Sequence, residues 1–258
     1  MAPLFHRDLG GTGNPPLVIL HGLLGSSRNW QTAGRELAET YHVFTLDLRN
    51  HGASPHDDEM TYEAMVSDVI SWLDALGLPF VTLLGHSMGG KAAMLLACRH
   101  PERVARLIVV DIAPKDYFWA AHRAEFAAMN ELDLTSLQSR AEAELRFEAR
   151  VNDWAMRKFI ATNLVRAPDG GGWSWVINLP AVTAALPALE KNPLGKDERF
   201  YGETLVLIGG MSQYVLKEDE APMRVHFPHA KFETIPASGH NPHMETREAF
   251  VRVIRAVR

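Results

Sequence analysis

Thiol chemistry is almost missing from this chain of 258 residues: Cys98 is its one cysteine, so no internal disulfide can form. It falls in a helix-forming run beside Leu95, Leu96 and Ala97, where packing is its expected role. Long apolar runs are missing as well. No stretch is long and apolar enough to span a bilayer, and the start, Met1 to Asp8, carries neither a signal-peptide pattern nor an arginine-rich amphipathic helix. A soluble, cytoplasmic protein with no membrane partner is expected. Positive charge is in short supply: 26 Lys and Arg against 31 Asp and Glu give a net charge of -5, with the signs mixed along the chain. That leaves no basic face for a polyanion and excludes nucleic acid as a partner. A metal centre is not expected, because His240 and His243 form a loop pair without a third and fourth ligand at usable spacing. The run Gly10-Gly11-Thr12-Gly13 precedes a strand instead of joining a strand to a helix. It reads as a hairpin turn and not a nucleotide loop, so no cofactor is implied.

Hydrophobic residues make up 47% of the chain, enough for a large core. Short apolar runs alternate with helical patterns, which predicts an α/β fold with a mostly parallel sheet covered by helices on both faces. Strands are expected at Leu17 to Leu20, His42 to Asp47, Phe80 to Gly85, Arg106 to Asp111, Leu205 to Gly209 and Lys231 to Ile235. An antiparallel element is expected around Leu4 to Leu9. Met65, Val66, Val69, Ile70, Leu73 and Leu76 repeat at helical spacing and predict a crossover helix. A last helix is expected from Thr246 to Val257, with Phe250, Val251 and Ile254 on one face. Residues 115–195 break the alternation. They are rich in Ala, Glu, Arg and Leu, show helical stripes and no convincing strand, and read as a helical cap inserted into a core of residues 1–114 and 196–258. The cap holds Tyr117, Phe118, Trp119, Phe126, Met129, Trp154, Met156, Trp173 and Trp175. Most of these should pack cap onto core, and a few should line an apolar tunnel for an acyl chain. Asp169-Gly170-Gly171-Gly172 reads as a flexible loop inside it.

The chemistry centres on Gly85-His86-Ser87-Met88-Gly89, between an apolar run and the helix-forming stretch from Lys91. A serine at a sharp strand-to-helix turn has its hydroxyl pushed out of the sheet, and flanking glycines let the two elements approach. Such a nucleophile needs a base, and the base needs an acid to hold its tautomer. His240, after the last predicted strand, is the expected base, with His243 the local competitor. A carboxylate is often found just past the penultimate strand, but there the chain reads Gly209-Gly210-Met211-Ser212. Asp111 is the better candidate acid: it ends the apolar run Leu107 to Val110, where an unpaired charge would be costly. Asp219 and Glu218 are the alternatives, and Ser212 is a candidate accessory that hydrogen-bonds the His-Asp pair. Oxyanion donors are expected from the main chains of Met88, at a helix start, and Leu23, in the loop after the first long strand. His21 is expected to brace that loop.

Taken together, His21-Gly22 after one strand, Asp47-Leu48-Arg49-Asn50-His51-Gly52 after the next, the elbow from Gly85 to Lys91 and Gly239-His240 resemble an α/β-hydrolase over nearly the full length. Val110-Asp111-Ile112-Ala113-Pro114 and Gly209-Gly210-Met211-Ser212-Gln213-Tyr214-Val215 are similar to the YbfF-type esterases. That resemblance implies hydrolysis of short acyl esters and acyl-CoA thioesters by Ser87, His240 and Asp111 with Ser212 as accessory. The expected partner is therefore a small acyl ester or thioester. Cleavage of carbon-carbon bonds or lactones, a cofactor-free perhydrolase activity, and an inactive ligand-binding protein on the same fold are the alternatives.

Overall fold

The computed structural model describes residues 3–167 and 171–257. In chain order its elements are β1 (His6–Asp8), β2 (Pro16–Leu20), α1 (Gln31–Leu37), β3 (His42–Leu46), α2 (Tyr62–Ala75), β4 (Val81–His86), α3 (Met88–Arg99) and β5 (Val104–Val110). There follow α4 (Ala120–Glu131), α5 (Arg140–Phe147), α6 (Trp154–Ala161), β6 (Leu164–Arg166), β7 (Trp173–Trp175) and α7 (Leu179–Leu189). The chain closes with β8 (Glu203–Gly209), α8 (Glu220–His226), β9 (Ala230–Ile235), α9 (Pro242–Glu245) and α10 (Arg247–Ala256). Seven strands form one sheet in the order β1-β3-β2-β4-β5-β8-β9, parallel throughout except for β1.

Every parallel strand lies within two residues of the apolar run that predicted it. The reason is burial on both faces: all six residues of β4 are buried, so the strand reads as an unbroken apolar run. One face packs against α2, α3 and α8 through residues such as Met65, Leu73, Leu95 and Met223; the other packs against α1 and α10 through Trp30, Leu37, Phe250 and Ile254. Cys98 packs at the edge of the first of these layers, and burial pushes its thiol up to about 12. No helix of the described residues is long and apolar enough to cross a membrane.

Two expectations are corrected. The glycine-rich run is not a hairpin turn, because β1 pairs with β3 while β2 lies on the far side of β3. The run instead carries the chain past the start of β3, with Gly11 at φ +86 so close that a Cβ there would stand 1.9 Å from the Tyr41 carbonyl oxygen. The segment between β5 and β8 does contain strands: β6 and β7 form an antiparallel pair, Leu164 opposite Trp175 and Arg166 opposite Trp173. Three residues per strand are too few to show a period of two. Of the Asp169 to Gly172 loop between them, Asp169 and Gly170 lie outside the described residues.

Both ends of this inserted segment are fastened at one point. Lys91, fully buried on α3, donates to the carbonyls of Glu190 at 3.0 Å and Lys191 at 2.6 Å, just past the C-terminus of α7. Those carbonyls are among the acceptors a helix end leaves without partners. Glu190 in turn accepts from the N–H of Tyr117 through its carbonyl at 2.8 Å and of Trp119 through its carboxylate at 2.9 Å.

Four histidines are buried where the loops at the C-terminal edge of the sheet meet the core: His21, His51, His86 and His243. Burial lowers all four, His51 and His243 to about 3. Between about pH 3 and 6.5 the unfolded chain therefore binds protons that the folded one does not, so stability falls as pH drops through this window. Urea unfolding should show a midpoint well below its pH 7.5 value at pH 5, with a contribution of up to about 1.4 kcal/mol per pH unit for each such histidine. His243→Phe should make that dependence shallower. A midpoint independent of pH across this range would refute the reading.

Candidate active site

β4 ends in a turn so tight that Ser87 adopts φ 51 and ψ -119, a conformation that side chains rarely hold. Neighbouring glycines make the turn possible. A Cβ on Gly85 would lie 2.2 Å from the Gly89 carbonyl oxygen, and one on Gly89 would lie 2.5 Å from those of Leu20 and His21. The Ser87 N–H donates to the Val110 carbonyl at 3.2 Å, which ties the turn to β5. Ser87 borders a cavity of about 260 Å³, and α3 begins at the next residue.

His240 borders the same cavity from the loop after β9. Its Nδ1 lies 2.7 Å from Asp111 Oδ2, its carbonyl lies 2.8 Å from His86 Nε2, and its ring stacks on Tyr214 at 3.6 Å. A carboxylate only accepts, so His240 Nδ1 carries the hydrogen and Nε2 is the nitrogen left for a substrate proton. Asp111 is completely buried at the end of β5, with φ 50. Its Oδ1 accepts from the Gly209 N–H at 3.0 Å, and its Oδ2 accepts from Ser212 Oγ at 2.5 Å as well as from His240. Three donors at one carboxylate offset the cost of burying it in an apolar layer. Ser212 Oγ also accepts from the Tyr214 N–H at 3.1 Å, which fixes the hydroxyl's direction.

The structure thus brings Ser87, His240, Asp111 and Ser212 together. The alternatives are engaged elsewhere, although His243 borders the same cavity. Asp219 pairs with Lys115 at 2.5 Å and accepts from the Leu216 N–H, and Glu218 is exposed. His243 stacks flat on Trp30 at 3.9 Å, and its low pKa leaves it neutral.

Leu23 borders the same cavity, in a turn closed by the Gly25 N–H donating to the Gly22 carbonyl at 3.0 Å. A Cβ on Gly22 would come within 3.2 Å of Ser87 Cβ, so this loop is pressed against the elbow. His21 braces it: Nδ1 donates to the Gly22 carbonyl at 2.8 Å, and Nε2 accepts from the Leu48 N–H at 3.0 Å. The main-chain N–H groups of Leu23 and Met88 have no acceptor among the described residues. Met88 adds the positive end of a helix dipole.

Sequence reasoning missed several parts of the site. His86 was visible inside the elbow motif, but its bond to the His240 carbonyl depends on a loop 154 residues away. Tyr214, Phe159 and the helix pair His122 and Glu125 also border the site or its catalytic groups, and nothing local in their sequence marks them. Of the aromatic and methionine side chains of the inserted segment, Trp119, Phe126 and Met129 are buried in packing, Phe118 and Trp154 are exposed, and Met156 borders the cavity. Among the described residues no lysine or arginine borders it, and no cluster of three or more His, Cys, Asp or Glu is arranged to hold a metal ion.

Known proteins share this architecture. A family model described as "alpha/beta hydrolase fold" matches residues 15–246. The chain is 37% identical over 260 residues to the mouse sn-1-specific diacylglycerol lipase ABHD11, covering 98% of this chain and 84% of that protein. It is 34% identical over 245 residues to the esterase YbfF of Escherichia coli strain K12, covering 94% of this chain and 92% of the relative. A solved marine microorganism esterase superposes with a TM-score of 0.94 at 35% identity, covering 98% of each chain. Sheet order, elbow and full-length similarity agree, and this chain belongs to the alpha/beta hydrolase fold family, among its carboxylic ester hydrolases.

Proposed function

We propose that the protein is a serine esterase that cleaves short to medium acyl esters through an acyl-enzyme on Ser87. The observation that carries this reading is the cavity shared by Ser87 and His240, with His240 held by Asp111 at 2.7 Å. In the first half-reaction Ser87 Oγ attacks the ester carbonyl while its proton passes to His240 Nε2. The tetrahedral oxyanion is held by the N–H groups of Leu23 and Met88. As the C–O bond to the alcohol breaks, the alcohol leaves with the proton from His240. Water then repeats the sequence: His240 takes its proton, the hydroxide attacks the acyl carbon, and Ser87 recovers the proton as the acid departs. Asp111 stays ionised throughout and stabilises the imidazolium that forms twice per turnover.

Ser212 acts as the accessory that keeps the Asp111 carboxylate aimed at Nδ1. Residues 115–195 act as a cap over this chemistry, since α4 and α6 supply His122, Glu125, Met156 and Phe159 to the cavity wall. A volume of about 260 Å³ suits a short acyl group better than a long chain. Thioesters react by the same steps, with a thiol as leaving group, so acyl-CoA remains a second substrate class of this reading. The name of the mouse relative points to glycerol esters as another.

Hydrolysis of p-nitrophenyl butyrate by the wild type and by Ser87→Ala, purified side by side, tests the core claim. Activity should vanish in the variant to the level of buffer, and equal turnover in both would reject Ser87 as nucleophile. Asp111→Asn should lose on the order of 10⁴ in kcat with an unchanged circular dichroism spectrum, whereas Asp219→Asn should lose little. Near-normal turnover by Asp111→Asn would assign the acid elsewhere. Ser212→Ala should fall between these, by roughly tenfold in kcat, because one of three hydrogen bonds to Asp111 is lost.

A further inference from the structure

The cavity contains a hydrogen-bonded histidine–carboxylate pair that the proposed mechanism does not use. His122 and Glu125 lie one turn apart on α4, both border the cavity, and His122 Nδ1 is 2.6 Å from Glu125 Oε2. The side chains are only 12% and 4% exposed. A carboxylate so deeply buried is expensive unless it is paired, and such a pair adds less to stability than apolar side chains of the same volume would. The pair also stands near the catalytic histidine. Trp119 meets the His122 ring edge-on at 5.1 Å and lies 6.5 Å from Tyr214, whose ring stacks on His240. After burial, Glu125 is the largest influence that raises the Tyr214 phenol to about 12.

Because Glu125 accepts, His122 Nδ1 carries the hydrogen and the ring is fixed. Nε2 has no partner among the described residues. In a neutral ring Nε2 accepts, and in a protonated ring it donates. A hydroxyl group satisfies both states, a methyl group neither. Among the described residues the cavity wall carries no lysine or arginine; Asn29, Asp153, Asn241 and Glu245 also border it, but His122 is the imidazole there held in one orientation by a carboxylate of its own helix.

We propose that His122, oriented by Glu125, is a specificity-determining residue that hydrogen-bonds a hydroxyl group of the substrate, so that hydroxyl-bearing esters are preferred to their methyl isosteres. This rests on the serine esterase reading above and names its substrate class more narrowly. Glu125 is a positioning residue, acting only through His122.

Two isosteric pairs test it, one with the hydroxyl in the alcohol and one in the acyl part: 2-hydroxyethyl butyrate against propyl butyrate, and ethyl 3-hydroxybutyrate against ethyl 3-methylbutyrate. In at least one pair the hydroxyl ester should have a kcat/KM about ten- to a hundredfold higher in the wild type. His122→Phe should abolish that ratio, Glu125→Gln should reduce it, and His122→Gln, which restores a polar group, should recover part of it. A merely structural role would lower both members of a pair equally and leave the ratio in place, which would overturn the proposal. Should His122→Phe fail to fold, Glu125→Gln and His122→Gln decide by the same ratio. Ser87-dependent turnover of both members at equal kcat/KM in both pairs would refute the hydroxyl subsite alone. Loss of all Ser87-dependent turnover would instead refute the esterase chemistry, and this inference with it.

Discussion

The arrangement around Ser87 depends on one buried carboxylate. Asp111 is carried by β5, takes a hydrogen bond from the main chain where β8 ends, another from Ser212 in the loop beyond, and a third from His240 after β9. Three consecutive sheet strands are thereby held to a common point at their C-terminal edge. The energetic logic is asymmetric. With all donors present the charge is tolerated, but removing one leaves an ionised group short of partners in a layer that excludes water. The contacts that build the sheet edge are therefore the same ones that orient the imidazole.

Close approach of main chains completes that edge. Gly209 faces the Gly239 carbonyl so tightly that a Cβ would come within 2.0 Å of it, and Gly22 lies against Ser87. These glycines let strands, loops and the elbow converge on a cavity of about 260 Å³ while His21 and His86 lock the loops with neutral rings. Neutrality there is a product of burial, which lowers both imidazoles below their ordinary value.

Much of this was legible in the sequence because each feature was local. The parallel strands are apolar runs buried on both faces, and Ser87, His240 and Asp111 each stand at a strand end where topology makes them converge. Asp111 stood out because a charge closing Leu107 to Val110 had to be paired. The hairpin of Leu164–Arg166 with Trp173–Trp175 escaped notice because it is too short to display alternation. The misread turn at Gly10 to Gly13 had the right composition, but whether β1 joins β2 or β3 is a choice made by distant strand pairing. Tyr214 and the His122–Glu125 pair were invisible for the same reason: their roles come from ring stacking and burial that no local pattern encodes.

The fastening of residues 115–195 has a consequence for the independence of the sheet. β5 and β8, the strands that flank the insertion, are neighbours in the sheet, and the insertion leaves and returns beside the single amine of Lys91. Among its described residues it contributes no strand to the seven-stranded sheet, β6 and β7 pairing only with each other. A change of length or sequence within this segment therefore leaves the hydrogen bonding of the seven-stranded sheet, and the elbow it carries, untouched.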